Sequence, residues 1–229
     1  MGTYSTSQRT RQALIDAAGE LITERGVGRV STRAIAERAG ENLGTIHYHF
    51  GGKEELFKEV LRFACQAHAG PPLPEVIQGF EDRLDDVQGQ VEVVRTVVQH
   101  VMQRIFAPDR PPWCSRVLYQ VVQHAGPLRD FLRKETIDPY FRAMTGLISR
   151  IRPDWTTKEI YLWVHMVIGP IVFHADHRET VLDRFDLDSF PADYLAMLEH
   201  RLATDAIRAL GLPPEAIQRD DTQDVRPTS

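Results

Sequence analysis

Two cysteines in 229 residues, Cys65 and Cys114, are too few for a disulfide framework, so packing must hold the fold. With no secretory leader in view, that scarcity points to a reducing cytoplasm. Long apolar runs are also missing. The longest, Ile160 to Phe173, is interrupted by His165 and Pro170. It falls short of the roughly 20 residues a bilayer requires, so no membrane span is expected. No G-x-S-x-G, P-loop or dinucleotide fingerprint occurs, and the chain is not expected to be an enzyme or to carry a cofactor. The acidic pairs Asp85-Asp86 and Asp220-Asp221 are sequence neighbours at a helix end and in the tail, a poor arrangement for a catalytic dyad. His174, Asp176 and His177 resemble metal ligands, as does Cys65-x-x-His68. Successive helical residues face different ways, however, and a third ligand is missing, so no metal site is expected. Cys114 has no pairing partner or activating base in its sequence neighbourhood and is expected to be an idle thiol.

A strong basic excess is absent too. The net charge is −5. Residues 1–62 hold nine Lys and Arg against eight Asp and Glu, whereas residues 63–229 hold eighteen against twenty-four. Any contact with nucleic acid must therefore use locally placed cations, for which Arg9, Arg11, Arg33 and Lys53 are the candidates.

What is present is helical periodicity. Gln8 to Arg25 carries Leu14, Ala18, Leu21 and Ile22 as one stripe, after a polar start at residues 1–7 expected to be disordered. Beyond Pro74 no segment alternates as a strand would. Helices are expected at about 75–87, 90–107, 113–124, 127–151, 156–178 and 192–210, with glycine and proline breakers between most of them. The fold class is all-α.

The most specific stretch is Ser31 to Lys53, STRAIAERAGENLGTIHYHFGGK. Ser31 can cap a first short helix, Ile35, Ala36 and Ala39 give it one apolar face, and Gly40 can end it in the left-handed region. A second helix runs from Asn42 or Leu43 to His49. Ile46 and Phe50, at i and i+4, can plug inward and leave Thr45, His47, Tyr48 and His49 outward. Exposed rings on so short a helix bury nothing, but they suit a DNA groove. The pattern is a helix-turn-helix whose second helix enters the major groove. Asn42 and His47 are candidates for base edges and Leu43 for a thymine methyl. Arg9 and Arg11 can serve as a basic arm.

The run T-R-x-I-A-x-x-A-G-x-N-x-G-T-I-x-Y-H-F-x-x-K-E-E-L, from Thr32 to Leu56, resembles the DNA-binding domain of the TetR family of bacterial transcriptional regulators. That resemblance implies phosphate contacts from Thr45, Tyr48 and Lys53 and anchoring of the first helix by Thr32 and Arg33, with Gly44 and His49 completing the surface. It also implies a palindromic double-stranded operator, a homodimer, a small-molecule effector and a place at the nucleoid of the bacterial cytoplasm. Glu41 departs from the pattern, which usually has a small apolar residue there. It is either a solvated turn residue or an acceptor for a cytosine amino group. The run Gly126 to Arg184, with G-P-L-R-D-F and I-G-P-I-V-F-H-A-D-H-R-E, is similar to the CerR/CecR-like subgroup.

The expected organisation is a reading domain at 1–52, a regulatory and dimerisation domain at 53–212, and a disordered tail at 213–229. Mixed apolar and neutral polar faces at 90–107 and 113–124 suit a small-molecule pocket, with His100, Gln103, Trp113, Tyr119, Gln123 and His165 as candidate lining. Ile160 to Ala175 is apolar nearly all round, as a helix covered by its own domain or by a partner would be. In the family the last two long helices pair across a two-fold axis. Val164, Ile168, Ile171, Leu195, Leu198 and Leu202 are the corresponding interface candidates. Two alternatives remain open: a regulator controlled by a protein partner with no small ligand, and a helical enzyme using the His and Tyr residues of the second half.

Overall fold

A computed structural model describes residues 2–66 and 70–214, with side chains from residue 6 onward. Every regular element among the described residues is helical. They are α1 (Gly2–Arg25), α2 (Thr32–Ala39), α3 (Leu43–Phe50), α4 (Lys53–Gln66), α5 (Leu73–Gln78), α6 (Val87–Ile105), α7 (Trp113–Gln123), α8 (Pro127–Leu132), α9 (Asp138–Ile151), α10 (Thr157–Asp176), α11 (Arg178–Arg184) and α12 (Ala192–Ala209).

Several boundaries differ from those expected. Residues 2–7 are helical, since no proline or glycine between Thr3 and Ala18 interrupts the run. The segment expected as one helix at 75–87 is broken at Gly79, passes through a 3-10 turn at Glu81–Arg83 and restarts at Val87, where the Asp86 side chain accepts from the Gly89 N–H. The segment 127–151 is interrupted by a π-helical stretch at Arg133–Ile137. The segment 156–178 stops at Asp176, and α11 follows. His68 and residues 215–229, with most of the proposed tail, lie outside the described residues.

The chain divides into two compact units, Met1–Ala69 with Pro108–Asp138 and Gly70–Ala107 with Pro139–Ser229. This division does not follow the expected segmentation, because α4 and α7 both pack on α1. In the first unit the stripe of Leu14, Ala18, Leu21 and Ile22 meets Ile35, Ile46, Phe50, Leu56, Phe57, Val60 and Leu61, with Trp113 and Val117 in the same core. The Trp113 indole lies flat against α1 at Gly19. A Cβ at Gly19 would stand 2.4 Å from the ring, and Phe63 stacks on Trp113 at 5.6 Å between centroids. Cys114 is fully buried beside it, and burial pushes its thiol up to about 12, which keeps it protonated and inert at neutral pH.

In the second unit α6 is the axis, packed by α5, α10 and α12. Its valines, Val91, Val94, Val97, Val98 and Val101, join Met144, Leu147, Ile148, Ile160, Trp163 and Ile207 in one core. The buried Trp163 indole N–H donates to the Ala206 carbonyl at 3.1 Å, tying α10 to α12. A capping box closes the start of α10, where Thr156 and Glu159 exchange bonds with each other's backbone N–H groups.

Replacing Gly19 with alanine should cost about 1–3 kcal/mol by driving the indole off α1. The loss would be read as a lower urea midpoint with an unchanged slope, and an unchanged midpoint would show that the ring shifts freely.

Candidate nucleic-acid interface

Helix α3 has eight residues, too few to be stable in isolation, so its position depends on what anchors it. Ile46 and Phe50 supply the anchor: both are buried in the core of the first unit. The Ser31 hydroxyl accepts from the Ala34 N–H at 3.1 Å to start α2, and Gly40, at φ 69°, ends it. Gly51, at φ 77°, ends α3 and donates to the His47 carbonyl. Both stops use the left-handed region that glycine enters without steric cost.

The opposite side of α3 is turned to solvent. Tyr48 is 83% exposed and Leu43 55%, with Asn42, Gly44 and His47 exposed between them. Asn42 occupies the N-cap position without making a side-chain cap bond, so its amide is not committed to the helix. No atom lies within 4 Å of where a Cβ at Gly44 would stand, which leaves backbone approachable there. Thr45 and His49 are half-buried, and the His49 ring lies edge-on to Tyr48 at 5.0 Å. His49 is thus less open to solvent than the outward placement expected of it.

The cations differ among themselves. Arg33 is exposed and paired with Glu37 one turn along α2, a surface pair that a phosphate can displace. Arg9 is exposed near the start of α1, and Lys53 lies with its ammonium 5.3 Å from the Phe57 ring. Thr32 is half-buried in the first turn of α2. Arg11 does not behave as the basic arm expected of it. It is half-buried, ion-paired with Glu59, and sits 5.3 Å over the Phe50 ring. Glu59 lies 48 residues away in sequence, so no local pattern could have shown the pairing. Arg38 is likewise tied back to α1, through Glu20 at 3.0 Å and Glu24 at 2.9 Å.

Glu41 follows neither reading of it. It is half-buried, and its carboxylate accepts from the Thr10 hydroxyl at 2.8 Å. It fastens the turn between α2 and α3 to α1, a role the sequence gives no local sign of.

The candidate effector residues are not brought together in one unit. Trp113 is buried in the core of the first unit, and Tyr119 and Gln123 are exposed on α7 of the same unit. His100 and Gln103 stand on α6 of the second unit, with Gln103 exposed. His165 is exposed on α10 and stacks on Tyr161 at 4.0 Å. Among the interface candidates, Val164 and Ile171 are buried in the core of the second unit and cannot face a second copy. Ile168, Leu195, Leu198 and Leu202 are half-buried against that core. The face of α10 turned to solvent is a different one, with Tyr161, Leu162, Met166, Val172 and Phe173, near Met197 of α12 in exposure. A helix apolar all round hides from sequence which side its own domain takes.

His174 forms an internal bridge: Nδ1 lies 2.7 Å from the Pro170 carbonyl and Nε2 3.1 Å from the Tyr194 hydroxyl. His177 stacks on Phe173 at 4.3 Å. Among the described residues no three metal-ligating side chains gather.

The family described as "Bacterial regulatory proteins, tetR family" matches residues 14–60, the stretch holding the second half of α1, all of α2 and α3 and the start of α4. The transcriptional regulator AcrR of Shigella flexneri is 28% identical over 122 residues, covering 53% of this chain and 52% of AcrR. The chain thus spans about half the length of that curated relative. The dual regulator CecR of Shigella flexneri is 23% identical over 191 residues, covering 80% of this chain and 83% of CecR. In three dimensions the chain is similar to HlyIIR, a hemolysin II transcriptional regulator, with a TM-score of 0.59 at 17% identity, covering 87% of this chain and 97% of HlyIIR. That likeness establishes the all-α fold. Residues 14–60, with the helix-turn-helix, are thus similar in sequence to the tetR family of bacterial regulatory proteins and are carried on that all-α fold.

Proposed function

We propose that the chain is a sequence-specific DNA-binding transcriptional regulator that acts as a homodimeric repressor and leaves a palindromic operator when a small molecule binds its second unit. The observation that carries this reading is the two-sidedness of α3. Ile46 and Phe50 anchor it, while Tyr48, His47, Asn42 and Leu43 stand in water on the other side. Folding gains little from an exposed tyrosine, since burying such a ring would be worth about 1.5–3 kcal/mol. Its position suits a groove, with Asn42 and His47 at base edges and Tyr48, Thr45, Arg33 and Lys53 at phosphates. Two copies would present their α3 helices about 34–36 Å apart, or at a multiple of that spacing.

The second copy is best accommodated on the outward face of α10, where Leu162 is 62% and Met166 69% exposed, with Met197 of α12 at 64%. Apolar side chains at that exposure on two long helices suit a self-complementary two-fold contact. CecR, named as a dual regulator, supports a second reading in which some operators are activated. No helix among the described residues is long and apolar enough to cross a membrane, in keeping with action on DNA in the cytoplasm.

Tyr48→Ala and Lys53→Ala should each weaken binding to a duplex selected by the protein from a random pool by about tenfold or more, with no change in unfolding midpoint. Arg33→Ala should also lower the salt slope of binding by about one. Fluorescence anisotropy reads all three, and unaltered affinity in both the tyrosine and lysine variants would remove α3 as the reading surface. For the dimer, Met166→Lys should yield folded monomers by sedimentation. Val164→Lys should instead unfold the protein, because Val164 belongs to the protomer core. A Met166→Lys protein that stays dimeric would place the contact elsewhere.

A further inference from the structure

Two consecutive residues of α1 hold the two ends of α3. The Thr10 hydroxyl donates to the Glu41 carboxylate at 2.8 Å, in the turn that leads into α3. The Arg11 guanidinium lies 5.3 Å over the ring of Phe50, the last residue of α3, and is ion-paired with Glu59 of α4. Neighbouring residues on a helix point about 100° apart, so adjacent side chains can reach opposite ends of a short element. Thr10, Arg11, Glu41 and Glu59 are all half-buried, so water competes with these ties only in part. A guanidinium suits both of its partners, since its face can lie on an aromatic ring while its edge donates to a carboxylate.

The nature of the apolar anchor shows what the ties add. The buried contacts of Ile46 and Phe50 fix how deeply α3 sits, but apolar burial has no preferred direction and does little to stop the helix tilting. An eight-residue helix is about 12 Å long, so a tilt of about 10° moves one end by about 2 Å. A hydrogen bond to a base edge does not survive that displacement, whereas attraction to phosphates falls off slowly with distance.

We propose that Thr10 and Arg11 are positioning residues: they set the direction of α3, and through it the discrimination between the operator and other duplexes, without touching DNA themselves. The inference rests on the DNA-reading role proposed above for α3 and names what gives that role its selectivity. It also gives Glu41 a task that a small apolar side chain could not perform, since only an acceptor can hold the Thr10 hydroxyl.

The test compares two duplexes by fluorescence anisotropy with the full chain, one selected by the protein from a random pool and one of the same composition in scrambled order. Thr10→Val and Arg11→Met should each weaken binding to the selected duplex about fivefold or more and to the scrambled duplex less than about twofold, with the salt slope unchanged. A smaller folded fraction would weaken both alike, so the ratio of the two affinities separates positioning from mere stability. Thr10→Ser, which keeps the hydroxyl, and Glu41→Gln, which keeps an acceptor without the charge, should retain the discrimination of the wild type. Equal losses on both duplexes in Arg11→Met, with a salt slope lower by about one, would make Arg11 a phosphate contact and overturn the proposal. Tighter binding of both duplexes by Glu41→Gln would show the carboxylate acting through its charge on DNA, and overturns it too. Unchanged discrimination in Thr10→Val or in Arg11→Met overturns it while leaving the regulator reading intact. A wild-type protein that selects no duplex ends that reading, and the positioning role with it.

Discussion

Helix α3 is held by two side chains one turn apart, and the arrangement of the first unit follows from that. Ile46 and Phe50 enter a core supplied by α1 and α4, and the turn between them carries His47, Tyr48 and His49. An eight-residue helix has too little cooperativity to persist unless something outside it is fixed first. The length of α1 and the packing of Trp113 against Gly19 therefore have a purpose beyond filling volume. They make the base on which a short helix can be both exposed and rigid.

Charge within the first unit is arranged to the same end. Arg11 of α1 pairs with Glu59 of α4, and Arg38 of α2 pairs with Glu20 and Glu24 of α1, so these two cations join elements to one another. Arg9, Arg33 and Lys53 remain toward solvent or lightly paired. A unit almost neutral in total can still present a basic edge, because carboxylates of neighbouring elements hold some of its cations and leave others open. Glu41 extends this logic: through Thr10 it ties the turn to α1, at a position where a small apolar residue would give only packing.

Much of this was legible in the sequence. The glycines at 40 and 51, the Ser31 cap and the i, i+4 pair of Ile46 and Phe50 are local signals, and the backbone realises each of them. Local signals failed where a partner lies far along the chain. Nothing near Arg11 indicates Glu59, and nothing near Trp113 indicates that its ring would settle on Gly19 rather than in a ligand pocket. The apolar segment Ile160 to Ala175 shows the difficulty most plainly, since hydrophobicity on every side gives no phase. Only packing against α6 and α12 reveals that Val164 and Ile171 turn inward and Leu162 and Met166 outward. The breaks at Gly79 and at the π-helical stretch of 133–137 were missed for a related reason, because periodicity continues across them while the backbone does not.

By itself the sequence determined the helical class, the extent of the helix-turn-helix and the exposure of its aromatic tip, because capping, periodicity and turn chemistry act over a few residues. Tertiary structure alone decided which arginines pair with carboxylates of other elements and which face of α10 is open. These depend on contacts between residues tens of positions apart, and the energy of such contacts is set by burial and geometry that no local pattern encodes.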